Sequence, residues 1–467
     1  MSLFSFEEEI RNLSYSEAPK IITKEIPGPR AKEFLSRVYD LETVTLLAPY
    51  VIPFVWSEAR GATIMDPDGN IFIDMTAGVA VNAVGHSHPE VVEVIRSQAE
   101  KLMHTVDMPN PKRVELLEEL SQIAPGEMKN NVRTAFAMSG SDAAEMSLKF
   151  ARWFTKRPEI IAFHGGYHGI TTGSLALTTN PAYKKGLPPL VPGVHFAPYA
   201  YCYRCAFRRK GYPDCDLECA RYVEDLITKP GTGLVDKPAA VIMEPVQGEG
   251  GYIVPPGEFV KWVLKVCREN EVVFIDDEVQ SGFCRTGKWF AIEHWGLTPD
   301  MLNIGKALGG DFPVAAVVGL KKIMDNLPKA SQPVTFAGNA LGCAVALKNI
   351  EIMKRYRLDE RAAELGKHFM GMLKELEEES KIIGEVRGLG LMIGVEIVKN
   401  KSTKEPMDLE KMIWLIHKMR DRGVLMLICG RYGQVIRFMP PLVVTKEMID
   451  KTFELFRDAV KELENKL

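Results

Sequence analysis

Phe274-Ile275-Asp276-Asp277-Glu278-Val279-Gln280 is an apolar run that ends in carboxylates. Asn303-Ile304-Gly305-Lys306-Ala307-Leu308-Gly309-Gly310 follows it, with one lysine between an apolar run and glycines. Runs that are apolar on both faces are the mark of buried parallel strands, and ligands gather at the carboxyl ends of such strands. A carboxylate there can pair with a protonated ring nitrogen. A desolvated lysine there can act as a Schiff-base nucleophile. Each feature alone has an ordinary reading: acids that cap a strand, or an exposed loop lysine.

Working outward, Arg133–Met138, Ala239–Glu244, Val272–Asp276, Met301–Ile304 and Val314–Gly319 are expected strands, with crossover helices between them. Phe136-Ala137-Met138-Ser139-Gly140-Ser141-Asp142 reads as a strand, a small-residue turn and a helix start at Ser141. The free N–H groups of such a start suit a phosphate. In Gly166-Tyr167-His168-Gly169 an aromatic between glycines can stack on a flat ring. Before this region the chain is an irregular lead-in to about residue 58, then a hairpin over Ala59–Met75 turned by Asp66-Pro67-Asp68-Gly69. After it, a helix from Gly338 to Arg355 leads to helix, strand (Leu391–Val398), helix and strand (Val435–Phe438). The last element is an amphipathic helix with Thr445 as N-cap and Ile449, Phe453, Phe456, Val460 and Leu463 on one face. The expected division is 1–75 as the N-terminal part of a small domain, 76–337 as a large cofactor-binding domain, and 338–467 as the C-terminal part of the small one.

The 467 residues are 46% apolar and 25% charged, with a net charge of -3. That balance is a globular one. It provides no basic field for nucleic acid and no polybasic membrane patch. The acidic start, Met1–Ile10, is not read as a secretory signal, and no apolar run reaches spanning length. Eight cysteines are few for a secreted scaffold, so a cytoplasmic protein is expected. Four of them form C-x2-C-x9-C-x3-C (Cys202, Cys205, Cys215, Cys219) in a basic, aromatic insertion over 201–221. Zinc, two disulfides or four free thiols all fit that spacing. His86-Ser87-His88-Pro89 is read as a helix opening, not a metal pair, and no metal is assigned to the active site.

Together the four chemical motifs resemble the class-III (ornithine/4-aminobutyrate type) aminotransferases, pyridoxal 5'-phosphate (PLP) enzymes of fold type I. The resemblance runs from about Gly61 to Leu442. It rests on Asp277-Glu-Val-Gln-Ser-Gly-Phe-Cys-Arg-Thr-Gly-Lys288, Pro299-Asp300, the Lys306 block, Glu244-Pro-Val-Gln-Gly-Glu-Gly-Gly251, Thr335-Phe-Ala-Gly-Asn339, Arg387-Gly388 and Arg437-Phe-Met-Pro-Pro441. It implies an α/β fold, with a large mostly parallel sheet domain and a smaller α+β domain built from both termini. By the resemblance Lys306 is the Schiff-base lysine and the proton carrier at the substrate Cα. Asp277 pairs with the ring nitrogen, Gln280 lies near the phenolic oxygen, and Val279 and Tyr167 cover the two ring faces. Gly140 and Ser141 cradle the phosphate. Thr335 reaches the phosphate of a neighbouring subunit, which implies a homodimer with shared active sites, or a higher assembly built from it. Arg437 clamps the substrate carboxylate, as a planar bidentate donor can. Glu249 pairs with that arginine in ω-amino-acid enzymes, and an acid at its position in a related racemase is the second proton-transfer group.

One departure bears on the reaction. Where the 4-aminobutyrate and ornithine enzymes carry an arginine for the distal carboxylate of 2-oxoglutarate, this chain has Ile170. An isoleucine leaves that carboxylate unpaired. Neutral, apolar α-amino acids are therefore the expected substrates. The expected reaction is racemisation. The alternative is transamination, with pyruvate a better-fitting acceptor than 2-oxoglutarate. Ala340 stands where the family usually has proline, and nothing is drawn from it.

Overall fold

The computed structural model describes residues 6–45 and 48–467, so Met1–Ser5 of the acidic start lie outside the described residues. The chain divides into two compact units, Met1–Pro89 with Arg355–Leu467, and Glu90–Lys354.

In the first unit the helices Glu7–Asn12 and Pro29–Leu41 precede antiparallel strands β1 (Glu58–Arg60), β2 (Thr63–Met65) and β3 (Ile71–Asp74). The β2–β3 turn is the expected one. Asp66 Oδ1 accepts from the backbone N–H of Asp68 (3.0 Å) and Asn70 (2.9 Å), and Gly69 sits at φ +87°. A carboxylate that bonds its own turn, followed by glycine in the left-handed region, closes a hairpin at little cost.

The second unit carries seven strands: β4 (Val132–Ala137), β5 (Ile160–Phe163), β6 (Val194–Ala197), β7 (Ala240–Met243), β8 (Val273–Asp277), β9 (Met301–Ile304) and β10 (Ala315–Leu320). Their order is β4-β10-β9-β8-β7-β5-β6. β9, β8, β7, β5 and β6 pair in parallel, while β10 is antiparallel to both β4 and β9. Two reversals leave β4 pointing the same way as β9, so six strands end at one edge of the sheet. The helix Gly140–Thr155 packs Ala143, Met146, Phe150 and Ala151 onto Ile160, Ile242, Val273, Ile275, Met301 and Val317. Each fully buried large apolar side chain contributes about 1.5–3 kcal/mol. This face is thereby the firm floor on which the site residues stand.

The first unit resumes with β11 (Ile383–Leu389), β12 (Met392–Asn400), β13 (Glu405–Pro406), β14 (Val424–Leu425), β15 (Leu427–Cys429) and β16 (Val435–Phe438). β14 runs parallel to β3, which joins the two ends of the chain in one sheet. The other sheet runs β11-β12-β16-β15, with β13 on β12. The terminal helix Lys446–Glu464 is capped by Thr445, whose hydroxyl accepts from Met448 N–H.

The division differs from the expected boundaries in two places. Residues 76–89 belong with the first unit, because His86 Nε2 lies 2.8 Å from Asp74 Oδ2 and Leu442 N–H reaches Ala83 O at 2.8 Å. Residues 338–354 belong with the second, because the helix Ala340–Arg355 is tied down by Asn349, which donates to Leu308 O at 3.2 Å. β5 and β6 were not among the expected strands. β6 is a half-buried edge strand that includes His195.

Candidate active site

Asp277 ends β8, Lys306 follows β9, Ser139 follows β4, Tyr167 lies four residues beyond β5 and Glu244 follows β7. All stand at the same sheet edge because all five strands point that way. One cavity is lined by Ser139, Gly140, Ser141, Tyr167, His168, Gly169, Glu244, Glu249, Asp277, Val279, Gln280 and Lys306.

The acidic end of β8 splits by strand alternation. Asp277 continues the face of Val273 and Ile275, and its carboxyl is buried. Its Oδ2 lies 2.6 Å from His168 Nδ1, and its Oδ1 accepts from Val279 N–H at 3.2 Å. Burial opposes charge on His168, but its bond to Asp277, the charge of Asp277 and that of Glu244 outweigh this and raise its pKa. Glu244 accepts from the N–H of Tyr167 (2.9 Å) and of Gly248 (2.8 Å). Burial is the main reason its pKa is pushed up to about 7. Glu244, His168 and Asp277 thus form a buried charge array behind the cavity, with Asp277 turned by His168.

Asp276 faces the opposite way, is fully buried, and neither carboxyl oxygen has a hydrogen-bond partner. Burial, then Glu278 and Asp277, raise its pKa well above the ordinary value. A folded-state pKa above the unfolded one gives stability that is present below the unfolded value, about 3.9, and lost as pH rises through the folded one. Asp276→Asn keeps the shape and removes the ionisation. The cofactor-free variant is expected to match the parent's thermal midpoint near pH 4. It should exceed the parent at pH 8 by of the order of 1 kcal/mol or more. Parallel pH slopes for the two proteins would contradict this.

The turn at Ser139 is built for close approach. Ser139 Oγ caps the helix by accepting from Asp142 N–H, and Asp142 Oδ2 accepts from Met138 N–H at 2.9 Å. A Cβ on Gly140 would stand 2.7 Å from Val279 Cγ1. Gly169, at φ +121°, lies against Ser141: a Cβ there would meet Ser141 Oγ at 2.2 Å. These two glycines let the helix start, the Tyr167 loop and Val279 crowd around one point. Lys306 is itself at φ 42°, a left-handed conformation unusual for lysine and of the strained kind found at functional sites.

The cavity therefore gathers Gly140, Ser141, Tyr167, Glu249, Asp277, Val279, Gln280 and Lys306 of the residues singled out from sequence. Ile170 follows the lining residue Gly169. It is 57% exposed, and its N–H donates to Ser141 Oγ at 3.3 Å. Thr335 is exposed and does not line the cavity. Arg437 lies on β16 of the first unit, opposite Gly394 and Leu427. Sequence reasoning passed over His168 and Glu244. The signal for His168 was its place beside Tyr167. For Glu244 it was an acid ending an apolar strand, as Asp277 does.

This fold and this ring of lysine, acid, aromatic and helix start define a PLP-dependent enzyme of the transaminase fold. The chain belongs to the class-III aminotransferase family, whose model matches residues 48–460. It is 37% identical over 466 residues to an alanine/serine racemase of Pyrococcus horikoshii, covering 99% of this chain and 96% of that one. A leucine/methionine racemase of Thermococcus litoralis is also 37% identical, over 88% of this chain and 91% of its own. A probable 4-aminobutyrate aminotransferase of Bacillus subtilis is 36% identical, over 86% and 92%. Among solved structures, an amine transaminase from an uncultivated Pseudomonas species, in its PLP-bound form, matches with a TM-score of 0.82 and 28% identity, over 88% of this chain and 95% of that one.

Proposed function

We propose that the cavity holds PLP and that the enzyme racemises neutral, apolar α-amino acids. The residues fit the cofactor. Gly140 and Ser141 offer helix N–H groups to a phosphate. Asp277 is a buried carboxylate positioned for a ring nitrogen. Gln280 has a buried Oε1 without a partner. When bound, PLP supplies the electron sink for charge left at the substrate Cα. Lys306 Nζ then takes the Cα proton on one face, and Glu249 returns one on the other, directly or through water. Arg437 is assigned to the substrate carboxylate.

The observation that carries racemisation is Ile170, next to a cavity whose charged lining residues are Glu244, Glu249 and Asp277 against Lys306 and His168. Such a lining does not favour the second carboxylate of 2-oxoglutarate. The racemases among the relatives support this reading, and the aminotransferase relatives support transamination with a keto acid such as pyruvate. Chiral chromatography of single L-amino acids, incubated alone, distinguishes the two. Racemisation yields a mixture approaching equal enantiomers with no keto acid formed. An enantiomer that stays fixed until pyruvate is added would overturn it. Ile170→Arg should raise kcat/KM for transamination with 2-oxoglutarate by at least about tenfold, the worth of one charge-assisted bond. No gain would place the missing cation elsewhere.

We further propose a homodimer, in which Thr335 faces the partner's phosphate. Exposed Met103, Met108 and Phe336 support it, since His104 packs tilted against Phe336, ring centroids 4.7 Å apart, and Leu341 N–H reaches Met103 O. Large apolar side chains grouped around one surface mark an interface. Sedimentation at micromolar protein tests it, and a monomer would contradict it. A cytoplasmic setting is supported by eight cysteines none of which is in a disulfide. Among the described residues no helix is long and apolar enough to cross a membrane.

A further inference from the structure

We infer that Glu244 is a positioning residue: its single carboxylate sets Tyr167 and Glu249 at a fixed spacing on the cavity wall. The inference rests on the racemase reading, which gives Tyr167 a ring face of the cofactor and Glu249 the returned proton. Glu244 follows β7 and is buried. Its Oε1 accepts from Tyr167 N–H at 2.9 Å, and its Oε2 accepts from Gly248 N–H at 2.8 Å. Those two N–H groups belong to different loops, one after β5 and one after β7. Each stands at a lining residue: Tyr167 itself, and Glu249 directly after Gly248. The spacing of the two loops is thereby held to the width of one carboxylate.

Both ends of this bracket are stiff. Buried Tyr199 donates its hydroxyl to Glu244 O and Pro245 O, both at 3.0 Å, which pins the backbone from which the carboxylate extends. The loop that carries Glu249 closes on itself. Gln247 and Ile253 exchange both backbone bonds at 3.1 Å, and Gly248 O accepts from Gly251 and Tyr252 N–H. Tyr252 and Ile253 are buried. Gln247 Nε2 donates to His164 O at 3.0 Å, a second tie between the same two loops. A Cβ on Gly250 would lie 2.7 Å from Gly165 O, so the loops meet backbone to backbone there. A loop this closed moves as one body, and a shift of Gly248 N–H carries Glu249 with it. A carboxylate suits the task, because its two oxygens accept from two donors at once and bonds to a charged acceptor are the stronger kind. An amide in its place has one acceptor and turns an NH2 toward the other N–H. His168 and Asp277 line the same cavity, so a purely electrostatic role for Glu244 is the competing account.

The test uses the PLP-loaded enzyme with Glu244→Gln and, separately, Glu244→Asp. Glutamine keeps the length and one acceptor. Aspartate keeps the charge but falls one methylene short of both N–H groups. In deuterium oxide, an amino acid whose Cα proton faces Lys306 gains deuterium with its configuration kept through Lys306 alone. It is inverted only when Glu249 also takes part. Both variants should lower the ratio of inversion to retained exchange by about tenfold or more, the scale of one lost bond to a charged acceptor. Backbone amide exchange, read residue by residue, should quicken at both Tyr167 and Gly248 in both variants. In the unsubstituted enzyme both amides should be protected to a similar degree, a measurement that stands even if the variants do not fold. A ratio unchanged in Glu244→Gln would overturn the inference. So would a ratio restored by Glu244→Asp, which would assign Glu244 to charge alone, or an unprotected amide at either residue in the unsubstituted enzyme. An unsubstituted enzyme that inverts no amino acid would instead sink the racemase reading, and amide exchange at Tyr167 and Gly248 then decides the positioning role by itself.

Discussion

Lys306→Ala is expected to lower turnover by about 10²–10⁴-fold from the lost proton transfer alone. It should also remove the absorbance of lysine-bound cofactor when PLP is added. The expectation follows from place. Lys306 follows β9 at the sheet edge and lines the cavity with Asp277 and Tyr167. It is the sole lysine among the lining residues, so no other amine there can replace it. Alanine keeps the chain length and the packing of Ala307 and Leu308, which are buried behind it. Loss of activity with an intact thermal transition is therefore the predicted pattern. A variant that keeps a tenth of its turnover would contradict the role.

Asp277→Asn is the second large effect. The amide cannot carry the charge that faces His168 and that we assign to the ring nitrogen. Turnover should fall by about 10²–10³-fold, the scale for removing one preorganised electrostatic partner. Stability should also fall, by about 1–3 kcal/mol, because His168 loses its charged acceptor in a buried site. The sign of the pH dependence is set by His168. Its folded pKa is raised, so the stability it draws from Asp277 is fully present below its unfolded value of about 6.5 and fades as pH rises through the folded one. The midpoint difference between parent and Asp277→Asn should then be larger near pH 6 than near pH 9. A constant difference, or an unchanged kcat, would show that Asp277 holds neither the ring nor His168.

Much of this was legible before any coordinates, and for a physical reason. A buried parallel strand must be apolar along its length, so a carboxylate or lysine at its end stands out. That is why Asp277 and Lys306 could be read from the chain. The hairpin at Asp66–Gly69 was equally plain, because only a few residue types close such a turn. His168 was harder. Its role depends on a 2.6 Å contact with a residue 109 positions away, and no local pattern encodes that distance. β6 escaped notice because an edge strand need not be apolar on both faces. The boundary at 89/90 was missed because residues 76–89 are held by His86 and Ala83, through contacts with Asp74 and the distant Leu442 that no local pattern encodes. The cofactor proposed for the cavity and the shape of the sheet were read largely from resemblance; the opposed orientations of Asp276 and Asp277 follow from strand alternation alone.

The most direct test of the central claim is borohydride reduction of the PLP-loaded enzyme, followed by peptide mapping. The account predicts one phosphopyridoxyl adduct, on the side-chain nitrogen of residue 306. An adduct on any other lysine, or none at all, would contradict it.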